Sequence, residues 1–336
     1  MLRLRLITWI AVLLVVAGCS NSDSSETVTD ASAEETASID YPKKPIEIVV
    51  PYAAGGSTDI GARIISEHLP KYLPEAELVV VNKPGGGGTI GITDLYNSKP
   101  DGYTIAMTTH RVVSLQPLYG KTKYQHDSFQ PIANVFSTQQ LVVVKADAPW
   151  QTFEEWFEYV KSNPDEFTYG VSAGIGSGAH LPMADLEMNA DLVMKPVAFD
   201  GTAPAIAALL GGHVQSIVAQ PVDVKGYLES GELRALFNVG STPVPYAKDT
   251  PILKDKGFDI VYDSHTILIA PKDVPTQIIE KLQEAVQQTL KDPEAIAQFE
   301  KANIHVNYQS ADFVQEELNN ENVRLEVILK NIGLIE

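Results

Sequence analysis

Short runs of β-branched and other apolar residues recur along this chain, and between them apolar residues return every three or four positions. From Pro45 onward, Ile46–Val50, Glu77–Val81, Thr104–Thr108 and Gln140–Val144 read as strands, with helical spacing over Ser57–Tyr72 and Thr89–Asn97. A second series begins with the amphipathic stretch Phe153–Lys161. It continues through Phe167–Val171, Gly178–Asn189, Met194–Phe199, Ala203–Leu210, His213–Ala219, a helix ending at Glu229, and Arg234–Val239. Thr266–Ala270 is a late strand, followed by helices after Pro275 and around Asp292-Pro293. A last long helix runs from about Ala311 to Asn331, with Phe313, Leu318, Val323, Val327 and Ile328 expected to face inward. Strands alternating with helices predict an α/β class with parallel sheets covered on both faces.

Two such series predict two lobes. Residues 41–148 and 265–336 would form the first and residues 149–264 the second, with crossovers near Lys145–Gln151 and Tyr262–His265. A protein built this way takes its ligand in the cleft between the lobes and closes by a hinge.

The N-terminus departs from this pattern. Arg3 and Arg5 precede an apolar run from Leu6 to Ala17, and Val16-Ala17-Gly18-Cys19 follows. A run of about a dozen residues is too short to cross roughly 30 Å of hydrocarbon, so residues 1–18 read as a signal peptide. Cys19 then reads as the lipid-carrying first residue of an exported lipoprotein, which places the chain outside the cytoplasm, anchored to a membrane. Residues 19–40, rich in Ser, Thr, Asp, Glu and Ala, read as a flexible tether. Cys19 is the one cysteine, so a disulfide or a cysteine-based metal site has no partner thiol.

The formal net charge is −18, which argues against nucleic acid as a partner. It does not forbid an anionic small ligand, because local donors set the field of a pocket.

Three glycine-containing loops each follow a strand and open a helix: Pro51–Asp59, Asn82–Gly91 and Gly170–His180. Such junctions present free backbone N–H groups at the carboxyl end of a strand and attract an anion; equally, the glycines can serve only tight turns. The second loop carries G-x-G-x-x-G at Gly86, Gly88 and Gly91. A dinucleotide site also wants an acidic residue about twenty positions on, and Thr104–Arg111 has none. No Gly-Lys-Ser/Thr follows any of the loops, so no nucleotide cofactor is expected, nor any other. In the third loop Gly170-Val-Ser172-Ala-Gly174 matches a nucleophile elbow, which keeps a secreted serine hydrolase using Ser172 as the alternative, although no H-G-G-G-like segment lies upstream. His180 either packs the loop or acts as a base. The scattered histidines form no H-x-x-x-H pair, and no metal site is expected.

Taken together, the loops resemble the extracytoplasmic solute receptors of tripartite tricarboxylate transporters, the TctC or Bug-type binding proteins. The likeness runs from Tyr41-Pro-Lys-Lys-Pro45 through Pro51-Tyr-Ala-Ala-Gly-Gly-Ser-Thr-Asp59, Asn82–Gly91, Pro100-Asp-Gly-Tyr-Thr104 and Gly174–His180. Leu209–Val214, Gly231–Leu236 and Asp249–Gly257 complete it. The resemblance implies a periplasmic-binding-protein-like, two-lobe (Venus flytrap) fold, each lobe a mainly parallel sheet flanked by helices. It implies a binding protein, not an enzyme, that captures a small carboxylate or related polar metabolite for the large and small membrane subunits of a transporter. A ligand-sensing receptor coupled to signalling stays open beside it.

By the same resemblance, the loop of Tyr52, Ala53, Ala54, Gly55, Gly56, Ser57 and Thr58 would cradle the ligand carboxylate through backbone N–H groups, with the Ser57 and Thr58 hydroxyls as added donors, while Asp59 would meet a ligand ammonium or hydroxyl or else only favour the helix N-terminus. Gly176, Ser177 and His180 would meet it from the second lobe, and Thr109 and His110 sit where the family contacts ligand. Many relatives carry P-Y-K-G where this chain reads Val197-Ala-Phe199-Asp200-Gly201, so a carboxylate stands in place of a cation and a doubly charged ligand is put in doubt. Arg111 could supply that cation instead, and Gln220 is a further polar candidate. The glycines Gly85–Gly88 are expected to support the first loop more than to touch the ligand.

Overall fold

The computed structural model describes residues 40–336 apart from Ala53, Ala173 and Asp200. The expected signal peptide, Cys19 and nearly all of the tether therefore lie outside the described residues, as do the candidate contacts Ala53 and Asp200.

The first segment comprises β1 (Ile46–Val50), α1 (Ser57–His68), β2 (Leu78–Asn82), α2 (Thr89–Tyr96), β3 (Thr104–Thr109), α3 (His110–Ser114) and β4 (Phe129–Thr138). The second comprises β5 (Leu141–Lys145), α4 (Phe153–Ser162), β6 (Thr168–Ser172), α5 (Leu181–Ala190), β7 (Lys195–Phe199), α6 (Thr202–Leu210), β8 (Ser216–Ala219), α7 (Pro221–Glu229) and β9 (Leu233–Asn238). The chain ends with β10 (Ser264–Pro271), α8 (Thr276–Thr289), α9 (Pro293–Lys301), β11 (Val306–Gln309) and α10 (Ala311–Asn331).

Two sheets result, in the orders β11-β4-β10-β3-β1-β2 and β7-β6-β8-β5-β9. Each is buried on both faces, as the continuous apolar runs predict. In β1, Ile46, Ile48 and Val50 enter one core cluster while Val49 enters another. In β5, Val142 and Val144 pack on one side and Leu141 and Val143 on the other. Fully burying side chains of this kind stabilises the fold by roughly 1.5–3 kcal/mol each, before the entropy of ordering them is subtracted.

The parallel expectation holds for β1 with β2 and β3, and for β6 with β7 and β8. The strands next to the crossovers run antiparallel instead: β10 with β3 and β4, β11 with β4, and β5 with β8 and β9. β5 and β10 arrive directly from the other lobe, so no helical crossover forces them parallel to their neighbours. β5 also corrects the expected boundary. It follows β4 after Gln139 and Gln140 and pairs in the second sheet, so the first crossover precedes it rather than following at Lys145–Gln151.

α10 ties the lobes together. Val314 and Leu318 belong to a first-sheet cluster, while Leu325, Ile328 and Leu329 belong to a second-sheet cluster. The inward face differs from the expected one. Val323 is 66% exposed and Val327 57%, because Glu321 takes the inward position between Leu318 and Leu325. No helix among the described residues is long and apolar enough to cross a membrane.

Candidate functional site

The carboxyl ends of strands from both sheets face one cavity of about 570 Å³. Its wall includes Gly56, Ser57 and Thr58 at the start of α1, Thr202 at the start of α6, and Gln220 and Asp223 at the start of α7. The N-cap residues of these helices, Gly56, Gly201 and Gln220, make no side-chain capping hydrogen bond. The first-turn amides of a helix largely lack an intrahelical acceptor, and among the described residues no side chain supplies one here, although in α7 Pro221 carries no N–H and the Asp223 N–H is taken by the Gln220 carbonyl at 3.1 Å. Polar hydrogens and the positive end of each helix are thus directed at one space, which suits an anion.

Tyr52 fixes the floor between the first loop and β3. Its hydroxyl lies 2.6 Å from the hydroxyl of Thr109 and 3.4 Å from that of Thr108. Both Tyr52 and Thr109 line the cavity. Asp59, expected at the ligand, is buried and fully engaged within the loop. Its Oδ2 accepts from Gly55 N–H at 2.9 Å and Arg63 Nε at 3.0 Å, and its Oδ1 accepts from Arg63 Nη2 and Asn82 Nδ2, each at 2.9 Å. Burial alone would raise the carboxyl, but the bonds from Arg63, Gly55 N–H and Asn82 outweigh it and hold Asp59 below the usual carboxylate range. Asp59 therefore shapes the loop, the Gly55 amide is spent on it, and neither residue lines the cavity; nor does Ala54.

The second glycine loop packs beneath the first. A side chain at Gly91 would put its Cβ 2.9 Å from Pro51 Cβ and 3.0 Å from the Lys83 carbonyl oxygen, so the helix start can approach the first loop only without one. Gly88, at φ +99°, lies the same way against Val112 and Tyr52. Gly87 reaches the cavity wall.

In the third loop Gly176 and Ser177 line the cavity and His180 does not. His180 is 3% exposed and stacks on Tyr169 at an interplanar angle of 9°. Burial pushes its pKa down to about 4, and the neutral ring accepts from Gly176 N–H through Nδ1 at 3.1 Å. His180 thus holds the loop. Ser172 lies on the wall, its carbonyl accepting from Ser177 Oγ at 2.8 Å, but no histidine bonds its side chain among the described residues. The nucleophile–base pair that a hydrolase needs is not assembled there.

His110 is buried behind the wall, where its Nδ1 accepts from His265 N–H at 3.1 Å and its Nε2 faces Glu321 Oε2 at 2.9 Å. Phe199 packs beside Gly170 rather than on the cavity. Gln220 is on the wall, as is Arg111.

Sequence reasoning passed over Tyr119, Gln140, Thr202, Asp223 and Ser264. Thr202 and Asp223 open helices after strands, the rule that had singled out the first three loops, and applying it to β7 and β8 would have found them. Tyr119 had no such signal. Its hydroxyl donates to the Gly176 carbonyl at 2.9 Å, a contact that only the fold brings about.

The family model of the tripartite tricarboxylate transporter family receptor, TctC, matches residues 61–334. A UPF0065 protein from the gbd 5' region of Cupriavidus necator is 34% identical over 301 residues, covering 88% of this chain and 89% of that one. The crystal structure of a TctC solute-binding protein from Polaromonas, without ligand, superposes with a TM-score of 0.79 at 32% identity, covering 87% of this chain and 99% of its own. MatC from Rhodopseudomonas palustris, solved with bound malate, gives a TM-score of 0.67 at 26% identity over 86% of this chain and 100% of its own.

Proposed function

The chain belongs to the tripartite tricarboxylate transporter receptor family, and from that premise we propose that it is an extracytoplasmic, lipid-anchored receptor. It holds a small carboxylate in the cleft and passes it to the large and small membrane subunits of a transporter. One observation carries this reading: the uncapped first turns of α1, α6 and α7 meet around a single cavity. A carboxylate leaving water must have its hydration replaced, and fixed amides and hydroxyls do so at little further ordering cost. Gly56, Ser57 and Thr58 form one side of that donor set, with Tyr52 and Thr109 below them. Gly176, Ser177 and Gln220 form the other. Gly55, Asp59, His110 and His180 act one layer out, by fixing the loops. The malate held by the Rhodopseudomonas relative is a ligand of this class. The lipid anchor rests on Val16-Ala17-Gly18-Cys19.

Thermal unfolding against mono-, di- and tricarboxylates and amino acids tests the reading. A true ligand at about 100 times its Kd should add roughly 2.7 kcal/mol of stability. A panel with no stabiliser would overturn carboxylate capture. In the same preparation a Cys19→Ser chain should leave the membrane fraction, and its retention there would refute the lipid anchor.

A further inference from the structure

Among the described residues of the cavity wall, Arg111 carries the one positive charge and Asp223 the one negative. They differ in how they are held. The Arg111 side chain is 10% exposed; its Nε lies 3.2 Å from Oε1 of the fully buried Glu321, and its Nη2 donates to the Asp263 carbonyl at 3.0 Å. Glu321 is fixed in turn, with Oε2 2.9 Å from His110 Nε2 and accepting from Ser114 Oγ at 2.6 Å. The guanidinium also lies over the Tyr262 ring, 5.6 Å from its centroid. Three elements therefore immobilise Arg111: α3, the crossover before β10, and α10.

Nε is ion-paired without a hydrogen bond, Nη2 donates one, and Nη1 is left. Nη1 has no hydrogen-bond partner among the described residues. On the side of the second lobe Gly178 stands beside it: a Cβ there would lie 3.6 Å from Nη1 and 3.5 Å from Arg111 Cδ, ordinary contact distances. A nearly buried guanidinium with an unspent edge, already stripped of its rotamer freedom, is a built site for a carboxylate. Asp223, in the first turn of α7, has no ion pair among the described residues and lies open at the same cavity.

We propose that the cleft selects a small zwitterion, whose carboxylate sits on the Nη1 edge of Arg111 and whose ammonium group is drawn to Asp223. The inference rests on the carboxylate reading above and narrows it. A dicarboxylate would satisfy Arg111 with one end and bring its other charge against Asp223, where like charges repel. A ligand with an ammonium at that end matches both walls, one held by the first lobe and one by the second.

The test is isothermal calorimetry with the purified chain and two matched series: succinate, 4-aminobutanoate and butanoate; adipate, 6-aminohexanoate and hexanoate. In at least one series the amino acid should bind at least roughly tenfold more tightly than the dicarboxylate of the same length, given the cost of an unpaired or repelled charge. Arg111→Gln should weaken that amino acid by roughly 10- to 100-fold, the effect of losing a charged hydrogen bond. Arg111→Lys, which keeps the charge and loses the fork, should fall between the two and guards against a simple folding defect. Asp223→Asn should reverse the preference toward the dicarboxylate. A wild-type chain that favours dicarboxylates, an Arg111→Gln chain that binds as wild type, or an Asp223→Asn chain with an unchanged preference overturns the inference and leaves carboxylate capture standing. Failure of all six probes, together with an empty thermal panel, would remove both.

Discussion

Helices that begin at the cleft and helices that begin elsewhere are finished differently. Away from the cleft, Thr152 caps α4 by accepting from Glu155 N–H, Asp292 caps α9 by accepting from Glu294 N–H, and Ser310 caps α10 by accepting from Phe313 N–H. At the cleft, α1, α6 and α7 start at Gly56, Gly201 and Gln220 with no side-chain cap. Of the other helices, α2, α3, α5 and α8 also start without a side-chain cap, α3 from Thr109 on the cavity wall and α8 after Pro275. A cap stabilises a helix by about 1 kcal/mol. Omitting it at α1, α6 and α7, the helices of eight or more residues that open on the cavity wall at Gly56, Thr202 and Gln220, leaves donors for something that is not part of the chain. The difference separates helix starts that serve the fold from helix starts that serve a ligand.

The sharpest way to break this comparison is to finish a cleft helix as an outer one is finished. Gly56 sits at φ −77°, ψ 165°, an extended conformation that any residue can adopt and the usual one for a cap. In Gly56→Asp the new carboxylate should accept from the amides of Thr58 or Asp59 and add a negative charge where a ligand carboxylate would sit. The helix should change in stability by only a few tenths of a kcal/mol. Carboxylate affinity should fall at least 100-fold, about 2.7 kcal/mol, by calorimetry. Affinity within threefold of wild type would show that the start of α1 is not used.

Much of this plan is legible in the chain, for reasons that also mark where reading stops. Strands such as Ile46–Val50 announce themselves because both faces are buried and every position but Glu47 is apolar and β-branched. β4 does not, since Pro131 within it argues against a strand, and β11 is only four residues at a sheet edge. The helix-opening glycine loops can be read because amide presentation is a local property. The split between wall and support cannot, because it depends on partners distant in sequence. Asp59 looks like a ligand contact until Arg63 and Asn82 are seen to consume it, and His110 until Glu321 arrives from α10. The same buried glutamate turns α10 so that Val323 and Val327 face out.

The third loop offers an intermediate case, in which a side chain satisfies a cleft amide only while it stays neutral. His180 accepts from Gly176 N–H, and burial holds its pKa at about 4, against about 6.5 for an exposed histidine. Above pH 6.5 neither the folded nor the unfolded state binds the proton, and the full contribution is present. As pH falls below 6.5 the unfolded chain takes up a proton that the folded chain refuses. Stability should therefore drop by roughly 1.4 kcal/mol per pH unit from this residue, until about pH 4. His265, held at about 3 by burial and by the neighbouring His110 and Arg111, adds in the same direction. Urea unfolding of wild type and His180→Gln between pH 7 and 4.5 isolates the first part, since glutamine can still accept from the Gly176 amide. The variant should lose less stability on acidification by about that slope. Parallel curves would show that His180 is not held neutral.

The smallest effect comes from removing an outer cap. Thr152 Oγ1 accepts from Glu155 N–H at 3.2 Å, and the Glu155 carboxylate accepts from Gln151 N–H at 2.6 Å, so the pair closes the start of α4 from both sides. That start lies at the edge of the second lobe's core, where Phe153, Trp156 and Val160 are buried, and no residue of α4 borders the cleft. Thr152→Ala should cost about 1 kcal/mol, because one first-turn amide must then find water while the apolar face stays packed. In a chain of this size that is a shift of roughly 2 °C in Tm. Ligand affinity should not move, and this is what gives the small effect its use. If Thr152→Ala weakened binding as Gly56→Asp does, uncapped starts would have no special standing at the cleft. If it lowers Tm and leaves Kd alone, an amide's role follows from what its helix start faces, and the three bare starts around the cavity are binding groups.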